Sequence, residues 1–186
     1  HGERRVGSVG FPLPGVEVRI SDPETAQELA REETGMIEVR GPNVFLGYWR
    51  KPEKTALELR ENGFFITGDL GKIDADGYVH IVGREKDLII SGGYNIYPKQ
   101  IETEIDALDG VLESAVFGVR HADLGEAVAV AVVALPGHDI DPEQLIRALE
   151  LRLARFKLPR QVFVLEELPR NAMGKVQKNS LRERYG

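Results

Sequence analysis

A chain of 186 residues with 42% hydrophobic and 29% charged side chains has the make-up of a globular protein, with room for one ordinary domain or a small domain plus part of another. It contains no Cys, which excludes disulfides and thiolate metal sites. A net charge of −6 argues against general nucleic-acid binding, which calls for a basic face.

The charge is unevenly spread. Residues 157–186 carry seven Lys/Arg against three Glu, a balance of +4 that leaves −10 on the rest. A basic tail on an acidic body suits a small polyanionic ligand, although a solvated basic surface reads the same way. No apolar run reaches the ~20 residues of a membrane span, the longest being 127–135. No basic-then-apolar leader opens the chain either, so a cytoplasmic location without a membrane partner is expected. The first residue is His1 rather than Met, and the chain is expected to begin inside a longer protein.

In chain order, residues 1–85 read as short strands and tight turns. Strands are expected at 16–20 and 36–40, and a short helix over 52–59 with Pro52 in its first turn. Asn62-Gly63 signals a hairpin into a strand at 64–67, and the turn at 74–77 leads into another at 78–82. The pattern then changes. A brief strand at 88–90 and a Gly92-Gly93 turn precede a helix opened by Pro98, with Ile101, Ile105 and Leu108 on one face. Strands follow at 114–119 and 127–135. Asp141, Pro142 and Gln144 start a second helix in the manner of a capping box, with Leu145, Leu149, Leu153 and Phe156 as its buried stripe. A strand at 161–165 and a helix at 178–185 end the chain. The expected fold class is α+β, with a boundary in the charged run 84–87.

Four local groups could carry chemistry. Thr67-Gly68-Asp69 follows an apolar strand, and a carboxylate on a turn at a strand end can accept both hydroxyls of a ribose, or merely satisfy turn amides. Arg84, in 83–87, could bind ribose or phosphate through its fork of donors, or pair on the surface with Glu85 or Asp87. The glycines of 91–95 let a backbone or a thin ligand come close, yet the stretch lacks the spacing of a phosphate loop and also reads as a plain turn. In 169–178, Lys175 follows Gly174 on a loop and could swing its ammonium into a neighbouring site, or simply be solvated. Asp74, Asp76 and Glu85 fall at EF-hand positions 1, 3 and 12, but Val79 replaces the required Gly and strands replace the helices, so calcium is rejected. His1, His80, His121 and His138 are too scattered for a metal site, and no metal ligand is expected in the chain.

Taken together, GYWRKPEKT, FFITGD, GREKDLIISGGYNIYPKQIE and PRNAMGKVQK, in this order and at these intervals, resemble the adenylate-forming superfamily of acyl-CoA synthetases, luciferases and peptide-synthetase adenylation domains. The resemblance covers essentially the whole chain. ENGFFITGDLGKIDADGYVHIVGR and LPRNAMGKVQKNSLR look closest to malonyl-CoA synthetases.

The resemblance implies that residues 1–85 are the β-rich end of a large AMP-binding domain and 86–186 a small C-terminal domain that turns between two half-reactions. It implies ATP, with AMP retained in the adenylate, a small carboxylic acid and coenzyme A as reactants. Asp69 and Arg84 look like ligands of the AMP ribose, and Lys86 occupies the hinge position. Gly92, Gly93 and Tyr94 look like the lining of the coenzyme A pantetheine tunnel. Lys175 matches the catalytic lysine that bridges the acid carboxylate and the α-phosphate. The loop that cradles ATP phosphates and the glutamate that positions Mg2+ would both lie before His1, so the chain alone is expected to be inactive. Other short or aryl acids, and a peptide-synthetase domain, remain open within the superfamily. From another class, the Lys175 loop could be the substrate and docking site of a protein lysine acetyltransferase.

Overall fold

The alternation of apolar and charged residues in the first half and the unbroken apolar run in the second lead to two different kinds of sheet. The computed structural model describes residues 5–186. It divides into two compact units, the first ending at Lys86 and the second running Asp87–Gly186.

The first unit is a four-stranded antiparallel sheet in chain order: β1 (Glu17–Ser21), β2 (Gly35–Arg40), β3 (Phe65–Ile73) and β4 (Val79–Arg84), with α1 (Pro52–Glu58) between β2 and β3. Period-two alternation sets its faces. Ile20, Ile37 and Val79 form the core, with Val18, Val39 and Ile73 packed against it. The opposite face of β1 and β2 carries Arg19 and Glu38, directly paired across the ladder. The Asn62-Gly63 turn closes as expected: Arg60 N–H donates to Phe64 O at 2.8 Å and Gly63 N–H to Arg60 O at 2.9 Å.

The second unit is α+β. Its sheet holds β5 (Ile89–Ser91), β6 (Tyr94–Ile96), β7 (Val111–His121), β8 (Gly125–Ala134) and β9 (Gln161–Leu165), in the order β6-β5-β8-β7 with β9 parallel to β8. The helices are α2 (Pro98–Asp106), α3 (Pro142–Glu150) and α4 (Lys178–Tyr185). The apolar run is continuous because β8 is buried on both faces. Val128, Val130 and Val132 join Ile101, Ile105, Leu145 and Leu149 in one core. Ala127, Ala129, Ala131 and Val133 join Phe117, Leu168 and Leu181 in the other. α3 lies in the crossover that a parallel β8–β9 pair requires.

Three expectations need correction. The strand expected at 64–67 runs on to Ile73, so Thr67-Gly68-Asp69 lies inside β3 and not at its end. Residues 94–96 form a strand that hairpins onto β5, which local pattern did not single out. The second helix stops at Glu150, so Phe156 is not on its stripe; its ring instead stacks on Tyr94, with centroids 4.5 Å apart and planes 18° apart.

Candidate functional site

Asp69 owes its placement to a break in the ladder. Met36 pairs with Leu70 but Glu38 pairs with Ile66, so β3 carries extra residues at 67–69. A second shift separates Leu70 from Gly71 in the pairing with β4. Bulges of this kind re-aim side chains. Gly68 sits at φ +73°, a left-handed conformation that glycine adopts without steric cost. The Thr67 hydroxyl donates to Ile37 O at 2.8 Å and accepts from Asp69 N–H at 3.1 Å, locking the bulge. Sequence reasoning gave Thr67 no role; the signal available was its hydroxyl two residues before the carboxylate.

The structure brings Asp69 and Arg84 together. They are cross-strand partners, and Arg84 Nε lies 2.8 Å from Asp69 Oδ1. The Arg84 side chain is 55% exposed, and a guanidinium has five N–H donors, more than this one contact uses. Beside Asp69 opens a cavity of about 220 Å³ whose wall includes Phe11, Ile37, Val79, Ile81 and Thr67. An acceptor-only carboxylate in the wall of an apolar cleft, paired with a multi-donor guanidinium, can hold a vicinal diol joined to a flat apolar group.

Lys86 lies in the 3-10 turn Glu85–Asp87, exposed, and is the last residue of the first unit. Gly92 and Gly93 form the β5–β6 turn, with Gly92 N–H donating to Leu124 O at 2.9 Å. Tyr94, 55% exposed, presents its ring next to this turn, stacked on Phe156.

Lys175 is exposed on a hairpin closed by the Arg170–Val176 bridge. Its ammonium has no hydrogen-bond or ion-pair partner among the described residues. Three residues on, Lys178 is tied down: its ammonium lies 2.6 Å from Glu102 Oε1, and that carboxylate also accepts from Val116 N–H at 3.0 Å. The sequence distinguishes the two lysines poorly, and the fold separates a free cation from a structural one.

Of the carboxylates in the calcium-like spacing, Asp74 faces its own turn, while Asp76 Oδ2 accepts from Arg5 at 2.6 Å. Asp74 Oδ1 accepts from Asp76 N–H and Tyr78 N–H, while Oδ2 lies 2.9 Å from His80 Nε2. The His80 bond, together with those amides, holds the Asp74 carboxyl below its ordinary value. Among the described residues, no three His, Asp or Glu side chains gather as a metal site.

Residues 1–49 match the family model described as AMP-binding enzyme, and residues 100–175 match the AMP-binding enzyme C-terminal domain. The chain is 42% identical over all 186 residues to a feruloyl-CoA synthase from Amycolatopsis sp, of which it spans 38%. It is 41% identical over 181 residues (97% of the chain) to an indoleacetate–CoA ligase from Aromatoleum aromaticum, of which it spans 35%. The crystal structure of ATP-bound MatB from Rhodopseudomonas palustris matches with a TM-score of 0.94 and 61% identity, covering 99% of this chain and 37% of that one. The chain thus spans little more than a third of the length of these relatives.

Proposed function

This chain belongs to the AMP-binding, adenylate-forming enzyme family, and from that membership we propose that it is the C-terminal part of an ATP-dependent acid–CoA ligase. The observation that carries the reading is the spread of acids among its relatives. Ferulate and indoleacetate differ widely, yet the two relatives named for them are 42% and 41% identical to this chain. What the chain holds in common with both is therefore the part of the chemistry independent of the acid, which is ligation to coenzyme A through ATP. Malonate is our choice of acid, on the resemblance of 61–84 and 168–182 to malonyl-CoA synthetases.

In this reading an acid carboxylate oxygen attacks the α-phosphorus of ATP, and the bond to pyrophosphate breaks. The thiol of coenzyme A then attacks the acyl carbon and AMP leaves. Asp69 accepts the ribose hydroxyls and Arg84 donates beside it, supported by their 2.8 Å pairing and by the place of Asp69 in the wall of an apolar cleft. The Lys175 ammonium screens the repulsion between carboxylate and α-phosphate, supported by its exposure and by the lack of a competing partner among the described residues. Residues 1–85 would belong to the large domain and 86–186 to the small one, with Lys86 as the pivot between half-reactions. Tyr94 beside the Gly92-Gly93 turn would line the coenzyme A path. We assign the magnesium ligands to residues outside the chain, as the resemblance implies; no group of three His, Asp or Glu side chains gathers among the described residues.

The test is Lys175→Ala in the full-length enzyme. Acyl-AMP formation from malonate, read as pyrophosphate release, should fall about a hundredfold or more, the ~3 kcal/mol expected on removing one preorganised charge. Thioester formation from supplied malonyl-AMP should change less than about tenfold. Near wild-type rates in both steps would remove Lys175 from the chemistry.

A further inference from the structure

The loop that carries Lys175 has almost no apolar anchor. Ala172, Met173, Gly174 and Lys175 are all exposed, with Met173 78% accessible. Its shape rests on hydrogen bonds, and these converge on one residue. The Asn171 side-chain oxygen accepts from the backbone N–H groups of both Met173 and Lys175, each at 3.0 Å. The Asn171 backbone N–H donates to Lys175 O at 2.9 Å, and its carbonyl accepts from Gly174 N–H at 2.9 Å. Gly174, at φ +76°, turns the chain back so that these bonds can close. Arg170, the preceding residue, donates to Gly174 O at 2.7 Å and is paired with Glu113 of β7, which fastens the base of the hairpin to the sheet.

We propose that Asn171 is the positioning residue for Lys175: its amide oxygen fixes the backbone of the lysine itself, and so the point from which the ammonium reaches. This rests on the reading of Lys175 as the adenylation cation. A lysine side chain has many rotamers and must lose them at the moment of reaction. A backbone anchor cannot freeze the side chain, but it sets the origin and direction of the Cα–Cβ bond. Displacement of a reacting group by about 1 Å can cost on the order of a hundredfold in rate. The other backbone bonds of the hairpin survive if the Asn171 side chain is removed, so the loop should loosen without unfolding. The loss should therefore be partial.

The test has three arms. In this chain, Asn171→Ala should speed hydrogen exchange of the Met173 and Lys175 amides by about tenfold, roughly what losing one hydrogen bond implies, with the β7 and β8 amides unchanged. Asn171→Thr, whose hydroxyl can accept the same amides more weakly and adds no charge, should recover part of that protection. In the full-length enzyme, Asn171→Ala should lower kcat for acyl-AMP formation by about tenfold, leave KM for acid and ATP within about twofold, and spare thioester formation; Asn171→Thr should regain most of the rate. In the Lys175→Ala background, Asn171→Ala should add no further loss, because its effect runs through the lysine. A full further loss in that background, or wild-type acyl-AMP formation by Asn171→Ala while Lys175→Ala stops it, overturns the positioning role and leaves the lysine's role standing. Silence of Lys175→Ala itself would instead bring down the reading on which the proposal rests.

Discussion

At the centre of the first unit sits a carboxylate, Glu38, with no accessible surface; at the centre of the second sits Phe117, equally inaccessible. Glu38 Oε2 accepts from Arg19, and Oε1 accepts from Arg60 and the Ser21 hydroxyl, at 2.6 to 2.8 Å. Phe117 lies among alanines and valines of β7 and β8, with the stacked Phe163–Tyr185 pair each 6.4 Å from its ring. The second unit does bury one acid, Glu102, but its two apolar cores outweigh it. Among the described residues, the five carboxyls with clearly lowered values all fall in the first unit: Glu17, Asp22, Glu32, Glu38 and Asp74. A sheet with one small core and a charged reverse face is held by directional bonds, and such bonds also permit the bulge that aims Asp69. A block with a core on each face of its sheet holds its loops on a rigid piece, the Lys175 hairpin among them.

The largest expected effect tests the packed side. Phe117→Ala removes a fully buried ring and should cost about 4 kcal/mol, as large-to-small core changes do. Measured by hydrogen exchange, protection of β7 and β8 amides should fall by roughly a thousandfold, while β1–β4 amides keep theirs. An equal loss in β1–β4 would show one cooperative unit where the contrast requires two.

Next comes the charged side. Glu38→Ala leaves two guanidiniums facing an emptied site. Arg19 and Arg60 retain some exposure, so water relieves part of the penalty. The cost should be about 2 kcal/mol, below that of a wholly buried pair. Burial alone would push the Glu38 carboxyl up, but the bonds from Arg60, Ser21 and Arg19 outweigh it and hold the group below the ordinary glutamate value. A lowered folded-state value contributes stability that is complete above the unfolded value and is lost as pH falls through the folded one. The other four carboxyls act in the same direction. Acid titration from about pH 5 downward should therefore strip exchange protection from β1–β4 before β7 and β8, and Glu38→Gln should flatten that dependence. Simultaneous loss in both units would contradict it.

What the sequence disclosed follows from how local each cause is. The span of α4 and that of β9 were legible because pattern and turn signals bracket them directly. The bulge at Thr67-Gly68-Asp69 was not, because it exists only relative to the register of β2. Phe156 fitted a helical stripe by spacing, but the helix ends at Glu150 and the ring finds Tyr94, sixty-two positions away in the chain. For the candidate site, it was the resemblance to the adenylate-forming family, and not local residue type, that picked out Asp69, Arg84 and Lys175. That Asp69 and Arg84 would be cross-strand partners, or that Asn171 would hold the lysine's own amide, depended on geometry that no spacing states.

The smallest effect asks whether the packed unit leans on electrostatics at all. Asp141 caps α3, accepting from Glu143 N–H at 2.9 Å and Gln144 N–H at 3.4 Å, with Pro142 at the first helical position. In a full capping box the Gln144 side chain would reach back to the backbone N–H of Asp141. Here its amide donates instead to Asp141 Oδ2 at 3.1 Å, so the carboxylate holds the first turn from both ends. Asp141→Ala should destabilise the second unit by about 1 kcal/mol, the usual cost of a lost N-cap. The helix should survive, because Leu145 and Leu149 stay pinned in the core. Asp141→Asn keeps an acceptor and gives up only the charge at the exposed, positive end of a short helix, worth a few tenths of a kcal/mol. Denaturant unfolding followed through β7 and β8 exchange should thus rank wild type, Asn and Ala in that order, with Asn close to wild type. If Asn proves as costly as Ala, charge and not the amide bond steadies α3, and the contrast between a bonded sheet and a packed block loses its sharpest edge.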